Sequence, residues 1–600
     1  MAEPFHAWPD ISIDGSPLSD QVSQQLEQVL VEHHQHLPDM FVISFHDPGR
    51  DILGQAGAKV GSTVVIKVTP PGGSSPETLI NGEITSREAH YHAHHTRSLI
   101  RGYDKSHRMH RGRRTETYKN VTDSDIAQKV AQRAGLTIGQ IDSTSGTFDL
   151  VSQANQSDWD FLKSRAREIG YELTMEDGKF YFRQPKQAAN APSTGDFQNH
   201  SDPLQLVSGD DLIELQVRVT SAEQVNDVKV RGWDPDQKQV VIGSANAGTV
   251  AASSLPDDPA SLANTFGGPT FTAVNRPLAK QPEVDAAAKA IAEAISSAYA
   301  EADGIALGNP KLKAGSTVSL GVVGDEFAGK YTLTSARHVF AEGGYRTHFA
   351  VNGRQDRTLL GLTSLGSSNG HASAGGAPIN GVVVAVVTDN NDPNNLARVK
   401  LKFPWLDDNY ESDWARLAQL GAGPNSGVLW IPEVNDEVLV AFEHGDIRRP
   451  YVVGQLYNGQ DKPNEGSGLF DNGKVKRRGF ISRKGHKFIF FDDDNKKGVA
   501  ILSEDGNYKI SLNETTKEIH IKSSEKITVE SGKDMTLKSG ADLNLEAQQG
   551  LTVKAGAKLT LKGSQGGELD GGAQLDVKAS GQISVDGMFS VNSGALMVTK

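Results

Sequence analysis

From Ile519 the chain repeats every eight residues, and this repeat limits what its last 82 residues can fold into. The blocks read IHIKSSEK, ITVESGKD, MTLKSGAD, LNLEAQQG, LTVKAGAK, LTLKGSQG, GELDGGAQ, LDVKASGQ and ISVDGMFS. Their first and third places are apolar in 17 of 18 cases, Gly567 being the exception. At the chain-wide apolar content of 37%, about seven would be expected. The pattern nominates Ile519, Ile521, Ile527, Val529, Met535, Leu537, Leu543, Leu545, Leu551, Val553, Leu559, Leu561, Leu575, Val577, Ile583 and Val585 as one inward-facing set. The fourth place is charged in every block and the fifth is always Ser, Ala or Gly.

Apolar residues two apart share one face of a strand, and the polar residue between them takes the other. Two inward side chains per strand cannot form a core alone, and the small residues that follow permit a turn. A single ribbon of this kind would carry a bare apolar face and two open edges. Closing several chains around a common axis removes both, and each inward Leu, Ile or Val then contributes roughly 1.5–3 kcal/mol from burial before chain entropy is subtracted. The competing reading is a single-chain β-solenoid, whose rungs usually run longer than eight residues. The octad favours the intertwined multimer.

Upstream, 600 residues allow roughly three to five domains at ~100–200 residues each. The absence of cysteine excludes disulfides, thiolate metal sites and cysteine nucleophiles. With 61 Lys+Arg against 74 Asp+Glu, the net charge of −13 argues against wrapping DNA. The N-terminal MAEPFHAWPDISIDG lacks a basic segment followed by an apolar one. Synthesis in the cytoplasm without a signal peptide is therefore expected. Residues 364–378, SLGSSNGHASAGGAP, read as a flexible linker. Beyond it, Gly381–Val387, Ala397–Phe403, Gly427–Ile431, Val438–Phe442 and Tyr451–Val453 are β-rich runs separated by Asp/Asn/Pro/Gly turns. Five short strands at this spacing suit a small OB-type barrel. Nucleic-acid OB folds need a basic groove with stacking aromatics. Here Trp405, Trp414 and Trp430 lie among acidic residues, so no nucleic acid is expected and the tryptophans read as core or interface.

The OB stretch resembles that of VgrG and phage baseplate spike proteins. The resemblance rests on Phe403-Pro404-Trp405, Trp414, Pro432-Glu433, Asp436, Arg449-Pro450 and the closing Leu456-Tyr457-Asn458-Gly459. Two positions depart from the family pattern: Asn435 and Ala397 stand where glycine is usual, at turn-like places. The first 363 residues are similar, more diffusely, to the family's tail hub. The matching segments are DISIDG, PDMFVISF, a helix expected over Gln156–Leu173, VKVRGWDP, GNPKLKAGSTVSL and FAGKYTLTSARH.

The resemblance implies a mainly β fold with some α: a hub of β-barrel-like modules at 1–363, the linker, an OB collar at 379–460, a neck with first needle strands at 461–518, and a needle at 519–600. The needle would be a triple-stranded intertwined β-helix formed by a homotrimer. It further implies a structural spike of a contractile injection machine, capping an inner tube and puncturing a target envelope. Expected partners are the chain itself, inner tube and baseplate proteins, a PAAR-type tip protein and effector cargo, with transient contact with a target membrane. The protein would be assembled into an injection particle and released or delivered to a target cell. A phage-derived extracellular system is favoured over type VI secretion and a true phage. The alternative from another class is a trimeric surface adhesin or receptor-binding fibre.

No enzyme is expected. P-loop, GxSxG and HExxH patterns are absent from the sequence, and the roughly sixty residues between Gly459 and Ile519 leave no space for a lysozyme domain. No cofactor or metal is expected. His90, His92 and His94 alternate, with His95, His107 and His110 nearby, but no carboxylate sits at compelling spacing, and a basic surface or subunit contact is the simpler reading. Asp492–Asp494 lack the spacing of a calcium loop and read as a turn.

Overall fold

The computed structural model describes residues 8–590 apart from 71–74, 94, 196–201, 235, 275–276, 342–343, 359–378, 380, 464–467 and 589. The linker expected at 364–378 and the patternless last ten residues lie outside the described residues. The chain forms two compact units, Met1–Gly466 and Ser467–Lys600.

The first unit is organised by an 11-stranded antiparallel sheet. Seven of its strands come from the first 104 residues, including Leu26–His34, Met40–His46, Glu77–Tyr91 and Thr96–Asp104. Alternating Val29, Val31, Phe41, Ile43 and Phe45 are fully buried, as period-2 patterning requires. The other four strands come from Leu212–Val219, Ala300–Leu307, Ser335–Ala341 and Gly344–Val351. The seam pairs Val31 with His338, closing about 300 residues of intervening chain.

Two smaller modules are inserted. One carries helices Asp123–Arg133 and Asp158–Ile169 beside the strands Thr137–Ile141, Glu172–Glu176 and Lys179–Arg183. The other lays helix Gln281–Ser296 against a three-stranded sheet built on Asp227–Asp234. Helix Asp158–Ile169 begins at a Ser157 cap and ends where Gly170 takes φ 72°. It is shorter than the expected 156–173: Gln156 closes the preceding strand, and Glu172 opens the next. Helical spacing puts Trp159, Leu162, Ala166 and Ile169 on one side; the first three are buried and Ile169 is half-buried.

Residues 382–455 form a five-stranded barrel-like sheet in the order Lys400–Lys402, Val382–Asp389, Glu437–Phe442, Pro450–Gln455 and Arg416–Leu417. Four strands fall where the sequence placed them. The fifth does not. Arg416–Leu417 takes the place expected for Gly427–Ile431, and the tight turn Ala422–Gly423/Ser426–Gly427 leads away from the sheet. A Cβ on Gly427 would stand 2.2 Å from the Gly421 carbonyl oxygen. That approach directs the following run outward, with Leu429 75% exposed.

In the second unit a short hairpin, Phe470–Asp471 with Lys474–Val475, precedes a five-stranded antiparallel meander, Arg477–Ile481, Lys487–Asp493, Lys496–Leu502, Lys509–Asn513 and Glu518–Lys522. Asp494 and Asn495 make a turn in it, and the Asn495 amide donates to Asp493 Oδ1. Among the described residues no helix is long and apolar enough to cross a membrane.

The two departures from the family's glycines both sit on left-handed backbone, Ala397 at φ 57° and Asn435 at φ 76°. A left-handed L-residue costs ~1–2 kcal/mol, which Asn tolerates better than Ala. Ala397→Gly is expected to stabilise the OB barrel by about 0.5–1 kcal/mol after the larger unfolded-state entropy of glycine is deducted. Asn435→Gly should be close to neutral. Urea midpoints of the two variants check both.

Candidate functional site

The octads carry the most exposed apolar surface of the chain. Strand Glu518–Lys522 still pairs within the chain, Ile519 opposite Leu512 and Ile521 opposite Ile510. Beyond it no intrachain strand pairing is formed among the described residues. The backbone nevertheless keeps the eight-residue beat, bending at 524–525, 532–533, 540–541, 548–549, 556–557 and 564–565. In the first three octads serine at the fifth place braces the bend. Ser523 Oγ accepts from the Glu525 amide at 3.1 Å and donates to the Lys526 carbonyl at 3.2 Å. Ser531 and Ser539 repeat the pattern with Lys533 and Asp534, and with Ala541 and Asp542. A side chain that satisfies its own turn in this way favours local bending.

The sixteen nominated apolar residues are 50–77% exposed in the single chain. The neck continues the stripe: Phe480, Phe488, Phe490, Ile501, Ile510 and Leu512 are exposed on the meander, whereas Ile489 and Ala500 on the other face are buried. One chain therefore presents an apolar row extending from the neck through nine octads. Soluble monomers rarely expose contiguous apolar surface on this scale.

The OB motif residues divide between core and joint. Phe403 is fully buried against Tyr410 and Phe442. Pro404 follows it at the surface. Trp405 is half exposed, its indole N–H donating to the Val384 carbonyl at 3.2 Å. Arg398 and Lys400 lie over the Trp414 ring. The buried Pro432 accepts from Asn390 through its carbonyl, and Asp436 Oδ2 accepts from the Glu433 amide at 2.8 Å, which holds the turn containing Asn435. Pro450 is buried at the start of its strand. Arg449 Nε reaches out of the barrel to the Pro277 carbonyl at 3.1 Å.

Arg449 is one of several ties between barrel and hub. The neighbouring Arg448 bridges Asp446 at 2.7 Å and Glu168, on helix Asp158–Ile169, at 3.2 Å. Glu168 in turn pairs with the buried Arg165, which pairs with Asp123 at 2.6 Å. Ser152 and Tyr410 share a hydrogen bond of 3.2 Å, and Ala154 packs on the barrel core. Burial by itself lowers the pKa of the Arg448 guanidinium, but Glu168 and Asp446 outweigh it and hold it well above its usual value. Burial raises the Asp446 carboxyl, and Arg448 overrides that and keeps it below the ordinary carboxylate range. None of this clasp was legible in the sequence, because its members lie about 280 residues apart.

The histidines disperse. His90 lies 3.8 Å from Glu88; His107 pairs with Glu83 at 2.9 Å. His110 stacks on Trp159, and burial pulls its pKa down to about 4. His92 is exposed, and His94 lies outside the described residues. His95 alone of this group meets a histidine from another strand, His46, beside Glu27.

Comparison with known proteins adds a family match for the OB segment. The type VI secretion system/phage-baseplate injector OB domain matches residues 383–457, and the Alg8 N-terminal domain matches residues 61–342. The type VI secretion system spike protein VgrG3 of Vibrio cholerae is 27% identical over 144 residues, 23% of this chain and 14% of that protein. The spike protein VgrG1a of Pseudomonas aeruginosa is 34% identical over 87 residues, 14% of each chain. The OB segment of the chain is thus similar to that of the VgrG and phage-baseplate spike family. The matched stretches span only about a seventh of these VgrG relatives. In fold, the chain resembles a chain of the Francisella PdpA–VgrG complex in its half-lidded form. The TM-score is 0.50 at 9% identity, covering 86% of this chain and 88% of that one. The VgrG-type mainly β architecture expected from the OB motif is thus present.

Removing Arg448 would leave Glu168 and Asp446 facing each other in a desolvated joint. Arg448→Ala is expected to cost about 3 kcal/mol, toward the low end for a broken buried pair because the Arg448 side chain keeps 22% exposure. Faster proteolytic separation of barrel from hub is the readout. The depressed Asp446 carboxyl contributes stability above its unfolded value near ~3.9, and this is lost as pH falls below that through the folded pKa. The wild-type joint should therefore loosen in acid, and the Asp446→Asn variant should loosen less steeply.

Proposed function

We propose that three copies of this chain form the spike of a contractile injection machine. Their octads wind together into a needle, the OB barrels form a collar, and the hubs cap the inner tube. Sheath contraction then drives the needle through a target envelope. The observation that carries this reading is the periodic row of sixteen apolar side chains left 50–77% exposed by a chain whose backbone already bends every eighth residue. A row with that regularity is satisfied by identical neighbours in the same register, each covering the next. The spike names of the VgrG relatives support the assignment. The role is mechanical: the needle transmits force, and closure among chains supplies stability where cysteine staples are absent.

On this reading the inner tube and baseplate proteins meet the hub. A PAAR-type tip protein seats on the far end of the needle, with effector cargo carried alongside. The protein is made in the cytoplasm and travels in the assembled particle, touching the target membrane only during firing.

Hydrogen exchange tests the closure. Amides of residues 527–585 should be protected for minutes to hours in the purified protein, because each short strand is paired by another chain. Leu551→Glu places a charge in the interior three times over and should bring exchange in the flanking octads to near-unprotected rates, since an unpaired buried carboxylate costs several kcal/mol. Lys554→Glu, at an outward place, should leave protection unchanged. Unprotected octads in the wild-type protein would remove the basis for the needle.

A further inference from the structure

At one end of the large sheet, three strands bring together a donor set that the sequence keeps nearly seventy residues apart. Glu27 is the second residue of strand Leu26–His34, His46 closes strand Met40–His46, and His95 immediately precedes strand Thr96–Asp104. The pairing fixes this convergence: Leu26 lies opposite Phe45, His46 lies opposite Arg97, and the His46 amide donates to the Gln25 carbonyl at 2.8 Å. His46 is held in the sheet, Glu27 lies at a bulge in its strand, and the His95 carbonyl accepts from the His92 amide at 2.9 Å, so short backbone ties hold all three.

We propose that Glu27, His46 and His95 form a binding site for a divalent transition-metal ion of the zinc class, one per chain. Glu27 Oε1 stands 3.7 Å from His46 Nδ1 and 3.2 Å from His95 Nε2. Metal–nitrogen and metal–oxygen bonds of ~2.0–2.2 Å put neighbouring ligand atoms of a tetrahedral centre ~3.3–3.5 Å apart. The two measured separations bracket that edge. All three donor atoms lie within 4.8 Å of one another. The imidazoles are inclined by 25° with centroids 5.1 Å apart, and about 40% of each side chain is exposed, so small rotations close the remaining gap. Arg97 Nε donates to the other carboxylate oxygen, Glu27 Oε2, at 2.5 Å. It fixes the orientation in which Oε1 faces both rings, the task of an outer partner in a metal site.

Two imidazoles and one carboxylate favour zinc, cobalt, nickel or copper over calcium or magnesium, which take oxygen donors. Three protein ligands leave a fourth position for water or a donor from another molecule. The cationic Arg97 opposes a second positive charge, which sets the expected affinity in the micromolar range. Bound there, the ion would cross-link the ends of three strands of the hub.

The test is titration of the chelator-stripped full-length chain with Zn²⁺ by calorimetry, and with Co²⁺ by visible absorption. One ion per chain, intense tetrahedral-type Co²⁺ bands, and a melting temperature that rises with Zn²⁺ are expected. His46→Asn, His95→Asn and Glu27→Gln should each weaken binding at least tenfold and abolish the thermal shift, with His90→Asn without effect. The exposed positions of these side chains let the variants fold. Zn²⁺ binding that survives the His46→Asn/His95→Asn double variant would overturn the proposal. So would a Co²⁺ spectrum in the wild-type protein unchanged from the aqueous ion, which needs no variant.

Discussion

A strand with two inward residues cannot bury them against itself, and the octad segment from Ile519 onward is organised around that fact. Its apolar row lies open in the single chain. Strand alternation assigns its charges to the other face, and in the first three octads serines brace the bends. The absence of tryptophan after Trp430 and the run of Ser, Ala and Gly at the fifth place belong to the same constraint. In the proposed needle, a rod filled by one or two branched side chains per chain would have no space for larger ones.

The first unit solves a different problem. Its large sheet joins sequence-distant strands, buries two apolar clusters and stands beside two inserted α/β modules. The OB barrel is tied to this hub by side chains as well as by the connecting segment: Arg448 reaches Glu168, Arg449 reaches the Pro277 carbonyl, and Tyr410 meets Ser152. Because the ties are directional and partly buried, they favour a fixed orientation of barrel and hub. The ionic chain from Asp123 through Arg165 and Glu168 to Arg448 and Asp446 is expensive to desolvate and costly to break at any member. Such an arrangement favours specificity of orientation over raw stability.

What could be read in advance follows the range of the interactions. The octad was legible because strand alternation and turn chemistry act within eight residues, and the two left-handed turns at Ala397 and Asn435 were visible as departures from glycine. The barrel was legible as five runs, but one was wrongly chosen: Gly427–Ile431 is apolar enough for a strand, yet the close approach of Gly427 to Gly421 turns it outward, and the short Arg416–Leu417 takes its place. Helix Asp158–Ile169 showed its apolar face in the spacing, while its end depended on Gly170 adopting the left-handed region. The clasp at Arg448 and the group at Glu27, His46 and His95 left no local signal. Both arise from pairings across tens to hundreds of residues, which periodicity does not report.

The central claim is that the exposed row is closed by copies of the same chain, and the molar mass of the intact protein in solution tests it most directly. Light scattering on a dilute, monodisperse sample should return three times the 64.4 kDa chain mass, independent of concentration. A stable, monodisperse species at the mass of one chain would contradict it.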